Sequence, residues 1–146
     1  MQINTKEVRE GKHDGKIVWI CHYNSRDTYK KPLRKVPPTK TFIVSNDELW
    51  RDSYGRTRHD NLCRYNKSHF IPFNKNGKLS TRVVSPIDTT VAGYGEDGNE
   101  LYVFDNEEEC VKEWNNQLDH CISIVDGLIA VGFLHQKKNE LLEMKK

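Results

Sequence analysis

The sequence lacks any long hydrophobic run. Only 36% of its 146 residues are hydrophobic, and its mean hydropathy is −0.80. No window approaches the roughly 20 apolar residues that a membrane-spanning helix needs. Residues 1–7 form no apolar stretch of the kind that opens a secretory signal. We therefore expect a cytoplasmic protein with one modest hydrophobic core and no membrane partner.

Cysteine is sparse and never occurs as a Cys-x-x-Cys pair. The four cysteines are Cys21, Cys63, Cys110 and Cys121. In a cytoplasmic protein such isolated cysteines are expected to be reduced. A buried free thiol behaves as a small apolar side chain, so we predict packing roles for Cys110 and Cys121.

Short catalytic and phosphate-binding motifs are absent as well. The sequence has no Gly-x-Gly-x-x-Gly, no Walker loop, no Gly-x-Ser-x-Gly and no His-Glu-x-x-His. His59, Asp60 and His69 are residue types found in His-Asn-His nucleases. Cys63 and the two histidines are three possible zinc ligands, but the spacings fit neither kind of site. We predict a non-enzymatic protein with no cofactor and no metal, and a metal-dependent nuclease stays as an alternative.

Charge is distributed unevenly along the chain. Residues 1–91 contain 18 Lys and Arg against 9 Asp and Glu, whereas residues 92–146 contain 5 against 12. Such asymmetry is typical of chains that bind nucleic acid, phosphate or a charged protein. The alternative is that the two parts pack together and neutralise each other.

The order of elements predicts an α+β protein. Alternating and β-branched residues predict short strands over 16–23, 41–45, 69–73, 79–85 and 100–104, with a turn over 74–78. Pro32, Pro37 and Pro38 argue against a central strand over 31–40. We predict a small curved antiparallel sheet or an SH3-like barrel, of four to six short strands, followed by a long C-terminal helix. Residues 1–104 would form a basic β-rich domain, and residues 105–146 a helical segment that packs on it or dimerises.

The C-terminal helix has the clearest periodicity. Asp105 is a predicted N-cap with Glu108 at position N3. Apolar residues then recur at helical spacing at Trp114, Leu118, Cys121, Val125 and Leu128. A helix of about 35 residues is longer than a small barrel can cover. The rest of the stripe is therefore a candidate for homodimerisation, unless the chain bends at Gly127 or Gly132 and packs back on itself.

Two basic segments are candidate binding sites for an anionic ligand. The first lies on a proline-rich loop and includes Lys30, Lys31, Arg34 and Lys35; the second includes Trp50, Arg51, Tyr54, Arg56, Arg58, His59 and Arg64. Guanidinium groups hold phosphates in bidentate fashion, and aromatic rings stack on bases. This pattern predicts binding of nucleic acid or a nucleotide, with Arg56, Arg58 and Arg64 on phosphate and Trp50 or Tyr54 stacking. The alternative is that the aromatic residues anchor a solvated loop.

Acidic residues are concentrated over 96–113. Such a surface can imitate a phosphate backbone, which leaves a protein–protein inhibitor of a bacterial host or defence enzyme as an alternative function, acting through this surface or through the apolar helix. The acids at the start of the helix are equally well explained by the helix dipole.

Several segments resemble small uncharacterised proteins of tailed bacteriophages and prophages. The resemblance lies in Trp19 and Tyr23 on one strand, in residues 31–39 and 45–46, in residues 68–72 before a glycine turn, and in the Glu108-Glu109-Cys110 run that opens the helix. It implies a role in host takeover or counter-defence, exerted by binding rather than catalysis. Residues 15–45 are also similar in outline to SH3-like barrels that bind nucleic acid or peptides.

Overall fold

The computed structural model describes residues 1–23, 34–49, 65–87, 100–128 and 134–146. In chain order the elements are β1 (Gln2–Ile3), α1 (Thr5–Arg9), β2 (Ile17–Tyr23), β3 (Lys35–Ser45), α2 (Asn46–Leu49), β4 (Ser68–Pro72), β5 (Tyr102–Phe104), α3 (Glu107–Leu128) and α4 (Leu134–Glu143). The predicted α+β class is confirmed.

All pairs of neighbouring strands are antiparallel, in the order β1-β5-β2-β3-β4. Within the described residues, β1 and β4 lie at opposite edges, so the sheet is open. Of the two predicted architectures, the open sheet is confirmed and the closed barrel is wrong. The turn over 74–78 also forms, but the arm that follows it makes only two isolated bridges, Phe73 with Leu79 and Phe70 with Val84.

β3 begins earlier than predicted and contains two prolines. Its residues 41–45 pair with both β2 and β4, whereas residues 35–40 pair with β2. Pro37 and Pro38 therefore lie where the strand has a partner on one side in the described residues. The register also shifts there, because Ile20 pairs with Thr39 while His22 pairs with Val36. Proline fits an edge or a bulge, since it has no N–H to donate to a ladder.

The two faces of the sheet carry two hydrophobic clusters, as the alternation of side chains along a strand requires. One cluster joins Val18, Ile20, Ile43, Phe70 and Val103 to Val8 of α1. The other joins Cys21, Tyr23 and Phe104 to the buried side of α3. Tyr23 and Trp114 meet edge to face with their ring centroids 6.0 Å apart.

Sequence reasoning assigns no element to residues 1–12, where the structure has β1 and α1. Both are short and are held by distant contacts. Ile3 pairs with Val103, the Thr5 hydroxyl donates to the Leu101 carbonyl at 2.6 Å, and Arg9 pairs with Glu100 at 2.8 Å. Tertiary contacts of this kind leave no local pattern in a sequence.

Helix α3 begins one residue later than the predicted cap requires. The carboxamide oxygen of Asn106 accepts from the Glu109 N–H at 2.9 Å, so Asn106 caps the helix and Glu109 occupies N3. Asp105 instead accepts from the terminal amine of Met1 at 2.5 Å. The predicted N-cap at Asp105 is therefore wrong by one position, because Asn106 is an equally good cap that stands one residue closer to the helix.

The single helix of about 35 residues is replaced by two antiparallel helices. α3 ends at Leu128, next to Gly127, and α4 packs back against it. Lys145 pairs with Asp119 at 2.6 Å, and the indole N–H of Trp114 donates to the Met144 carbonyl at 3.0 Å. The alternative that the chain packs back on itself is therefore the arrangement that the structure has, and the connection between the two helices lies outside the described residues.

Candidate functional site

Three side chains form a row across β2, β3 and the residue that follows β4. Trp19 pairs directly with Lys40, and the Phe73 N–H donates to the Lys40 carbonyl at 3.0 Å. The Lys40 ammonium lies over the Phe73 ring, 5.2 Å from its centroid. Paired residues of antiparallel strands project from the same face. The order across the sheet is therefore aromatic, cation, aromatic.

A tight turn places a second cation beside this row. The Asn74 N–H donates to the Lys78 carbonyl at 2.6 Å, and the Gly77 N–H donates to the Asn74 carbonyl at 3.0 Å. Gly77 has a φ of 80°, a conformation that glycine adopts without the Cβ penalty. The turn carries Lys75 at its tip.

These residues line an open groove of about 400 Å³, which we call the Trp19 groove. Its floor and walls include Ile17, Trp19, Pro38, Lys40, Phe73 and Lys75. Among the described residues that line it there is no carboxylate. The two ammonium groups of Lys40 and Lys75 are therefore the charged side-chain groups of its described lining.

The groove exists because α3 covers only part of its side of the sheet. Cys21 and Tyr23 are buried under the helix. Trp19 lies on the same face, nearer the N-terminal end of β2, and is only partly buried. Ile17, at the start of that face, is 53% exposed. An uncovered run of apolar and aromatic side chains flanked by lysines can take the faces of flat rings and the charge of phosphates.

The structure describes only part of the two basic segments. Lys30, Lys31, Trp50, Arg51, Tyr54, Arg56, Arg58, His59 and Arg64 lie outside the described residues. Lys35 is exposed at the start of β3, opposite Tyr23. The Arg34 guanidinium is partly buried and donates to the Ser85 carbonyl, so one of its donors links β3 to the segment after β4.

His22 is a buried imidazole beside Arg34. Its side chain is 5% exposed, and Nδ1 has no hydrogen-bond partner among the described residues. Burial, reinforced by the Arg34 charge, lowers the pKa of His22 to about 4. The imidazole is therefore neutral near pH 7, and its ring lies 6.4 Å from that of Tyr102.

The other nucleophile and metal-ligand types are buried or outside the described residues. Cys21, Cys110 and Cys121 are buried free thiols. The hydrogen bond with Cys110, together with burial, raises the pKa of the Cys21 thiol. His69, one candidate in the nuclease and zinc alternatives, is only 1% exposed. No group of three metal-ligand side chains forms in the part of the chain that is described.

His59, Asp60 and Cys63, the other members of the nuclease and zinc alternatives, lie outside the described residues. These two alternatives therefore rest on the sequence alone.

The apolar stripe of the helix faces the chain's own core. Trp114, Leu118, Cys121 and Val125 are each at most 1% exposed, and Leu141 of α4 joins the same cluster. The side chain of Leu128 lies outside the described part. These four side chains are occupied by the fold, and homodimerisation stays a prediction.

Sequence reasoning missed the Trp19 groove. Trp19, Phe73 and Lys75 are not among the residues for which the sequence predicts a ligand. The sequence signal that could have indicated the groove is that Ile17, Trp19, Cys21 and Tyr23 are every second residue of one strand and so lie on the same face. Which end of that face the helix leaves open depends on packing between distant segments.

No described helix has the length and apolar character to span a bilayer. No family model matches the chain, and neither a curated protein nor a solved structure matches it.

Proposed function

We propose that this protein binds an anionic ligand of the nucleic-acid or nucleotide class through its basic, aromatic surface, without converting it chemically. The observation that carries the proposal is the Trp19 groove. There, two aromatic rings and two ammonium groups meet on one exposed face.

The charges of the groove suit a phosphate-bearing ligand. Lys40 and Lys75 are both exposed, and no described lining residue offsets their charge. Lysine acts as a mobile point charge, which neutralises phosphate without demanding one geometry. The composition of the sequence also favours an anionic ligand, because residues 1–91 contain twice as many basic as acidic side chains.

The rings supply the other half of the interaction. Stacking of a base on an aromatic side chain contributes about 1–3 kcal/mol. The exposed Ile17 side chain extends the apolar surface beside Trp19. A ligand that joins flat apolar rings to phosphates uses both kinds of contact, whereas a purely acidic peptide uses only the lysines.

Salt dependence tests the proposal. Fluorescence anisotropy with labelled oligonucleotides and nucleotides, measured over a series of salt concentrations, gives the slope of log K against log salt. For a single strand, each neutralised phosphate contributes a slope of about −0.7. The double variant Lys40→Gln/Lys75→Gln should therefore bind more weakly, and its slope of log K against log salt should be less steep by about 1.4.

A matched control removes the same net charge away from the groove. Lys6 and Lys67 are exposed and do not line it. Lys6→Gln/Lys67→Gln should retain most of the affinity and the slope. Equal losses in both variants would contradict a localised site, and no binding of any oligonucleotide or nucleotide by the unmodified protein would refute the proposed function.

A further inference from the structure

We infer, as a refinement that rests on the proposed function, that the ligand of the Trp19 groove is single-stranded nucleic acid. Its unpaired bases would stack on Trp19 and Phe73, and Lys40 and Lys75 would contact its backbone. The juxtaposition that carries this inference is the aromatic–cation–aromatic row across the sheet.

The rings favour unpaired bases. In a duplex the face of each base is covered by its neighbours, and only the edges are open in the grooves. An aromatic ring on a sheet surface can therefore stack only on a base that is not already stacked between its neighbours. Trp19 packs against the cluster under α3 and is only partly buried, so part of its side chain is open to solvent.

The spacing of the rings favours a strand over a single nucleotide. Trp19 and Phe73 belong to positions two strand spacings apart, roughly 10 Å across the sheet. One base covers one ring and leaves the other exposed. A strand joins two bases through a phosphate. Lys40 belongs to the strand between the two rings, and its ammonium, which lies over Phe73 in the free protein, would move from that ring to the phosphate when a base stacks there.

The kind of cation points the same way. Sites that grip the terminal phosphates of a nucleotide use arginine forks, glycine-rich nests or helix N-termini. The described lining of the groove has none of these and supplies lysine only. Its open shape also leaves much of a bound mononucleotide in water, whereas small-ligand pockets bury most of their ligand.

The experiment compares four probes by anisotropy: a labelled thymidine 15-mer, the uridine 15-mer, a 15-base-pair duplex, and ATP or TTP as competitors. We expect both single strands to bind more tightly than the duplex, and the mononucleotides to compete only at far higher concentrations. The two single strands separate DNA from RNA as the source of the same chemistry.

Variants assign the binding to the rings. Trp19→Ala should weaken single-strand binding by about 5- to 150-fold, the equivalent of 1–3 kcal/mol of stacking. It should leave the residual affinity for duplex unchanged. Trp19→Phe should restore a large part of the loss, because it keeps a ring, and it guards against misfolding of the alanine variant. Leu142→Ala, an exposed apolar residue on α4, should bind as the unmodified protein does.

The outcomes separate the two levels of the proposal. Duplex or mononucleotide binding as tight as single-strand binding, or unchanged affinity in a folded Trp19→Ala variant, overturns the single-strand inference and leaves the broader function standing. Absence of binding by all four probes overturns both.

Discussion

Acidification from pH 7 to pH 4.5 should destabilise this fold through His22. The folded-state pKa of His22 is about 4, against an ordinary value of 6.5. A histidine whose pKa is lowered by folding is protonated more readily in the unfolded chain. The unfolded state therefore gains stability as the pH falls below 6.5, and the penalty on folding reaches its full size below pH 4.

The magnitude follows from the size of the shift. One pKa unit corresponds to about 1.4 kcal/mol, so full protonation lowers the free energy of unfolding by about 3 kcal/mol. Between about 2 and 3 kcal/mol of this loss is present by pH 4.5. That is a large fraction of the stability of a small domain. The structural cause is a buried ring beside the Arg34 guanidinium, where a positive charge is neither hydrated nor paired.

Urea unfolding of the unmodified protein and of His22→Leu, followed by circular dichroism at four pH values from 7 to 4.5, measures this contribution. Other acid-sensitive groups, such as the Asp105 and Glu109 carboxylates, whose pKa values are lowered by the Met1 amine, titrate in both proteins and cancel in the difference. The unmodified protein should lose about 2–3 kcal/mol more than His22→Leu. His120→Gln, at an exposed site on α3, should behave like the unmodified protein. Parallel loss of stability in the unmodified protein and His22→Leu would refute the reasoning.

Three further predictions concern stability and are checked by the same denaturation assay at pH 7. Gly77→Ala should cost about 1–2 kcal/mol because φ is 80° there, whereas Gly127→Ala, in a helix with open space around the added Cβ, should stabilise by about 0.5–1 kcal/mol. A shared sign for both would contradict the backbone argument. Asn106→Ala should cost about 1 kcal/mol through loss of the α3 cap, and an unchanged midpoint would place the cap elsewhere. Leu118→Ala should cost about 2–5 kcal/mol, since the side chain is fully buried, and a loss under 1 kcal/mol would mean that this helix face is not in the core.

Local patterns were sufficient for the parts of the fold that rest on local chemistry. The β-branched run of β2, the turn with Gly77 and the spacing of Trp114, Leu118 and Cys121 each predict an element that the structure has. The prolines argued against a central strand over 31–40, and Pro37 and Pro38 do lie where β3 pairs with β2 alone in the described residues. The local pattern did not predict that β3 extends through them, because the register shift that accommodates them depends on the partner strand.

The candidate site depends on non-local facts. Whether Trp19 is covered or open depends on where α3 crosses the sheet, and the position of Phe73 beside Lys40 depends on the β3–β4 register. Neither is encoded within one segment. The segment with Trp50 and Arg56, which composition favoured, lies outside the described residues, so its role stays a prediction from sequence.

Binding of single strands across Trp19 is tested most directly by nuclear magnetic resonance of the tryptophan indole N–H groups during titration with a thymidine 15-mer. The chain has three tryptophans, and single Trp→Phe variants assign their signals. The Trp19 signal should shift in step with saturation, while that of Trp114, which donates to Met144 inside the core, should stay in place. The Trp50 signal reports independently on the segment that the sequence favours. Saturable binding with an unchanged Trp19 signal would contradict the account.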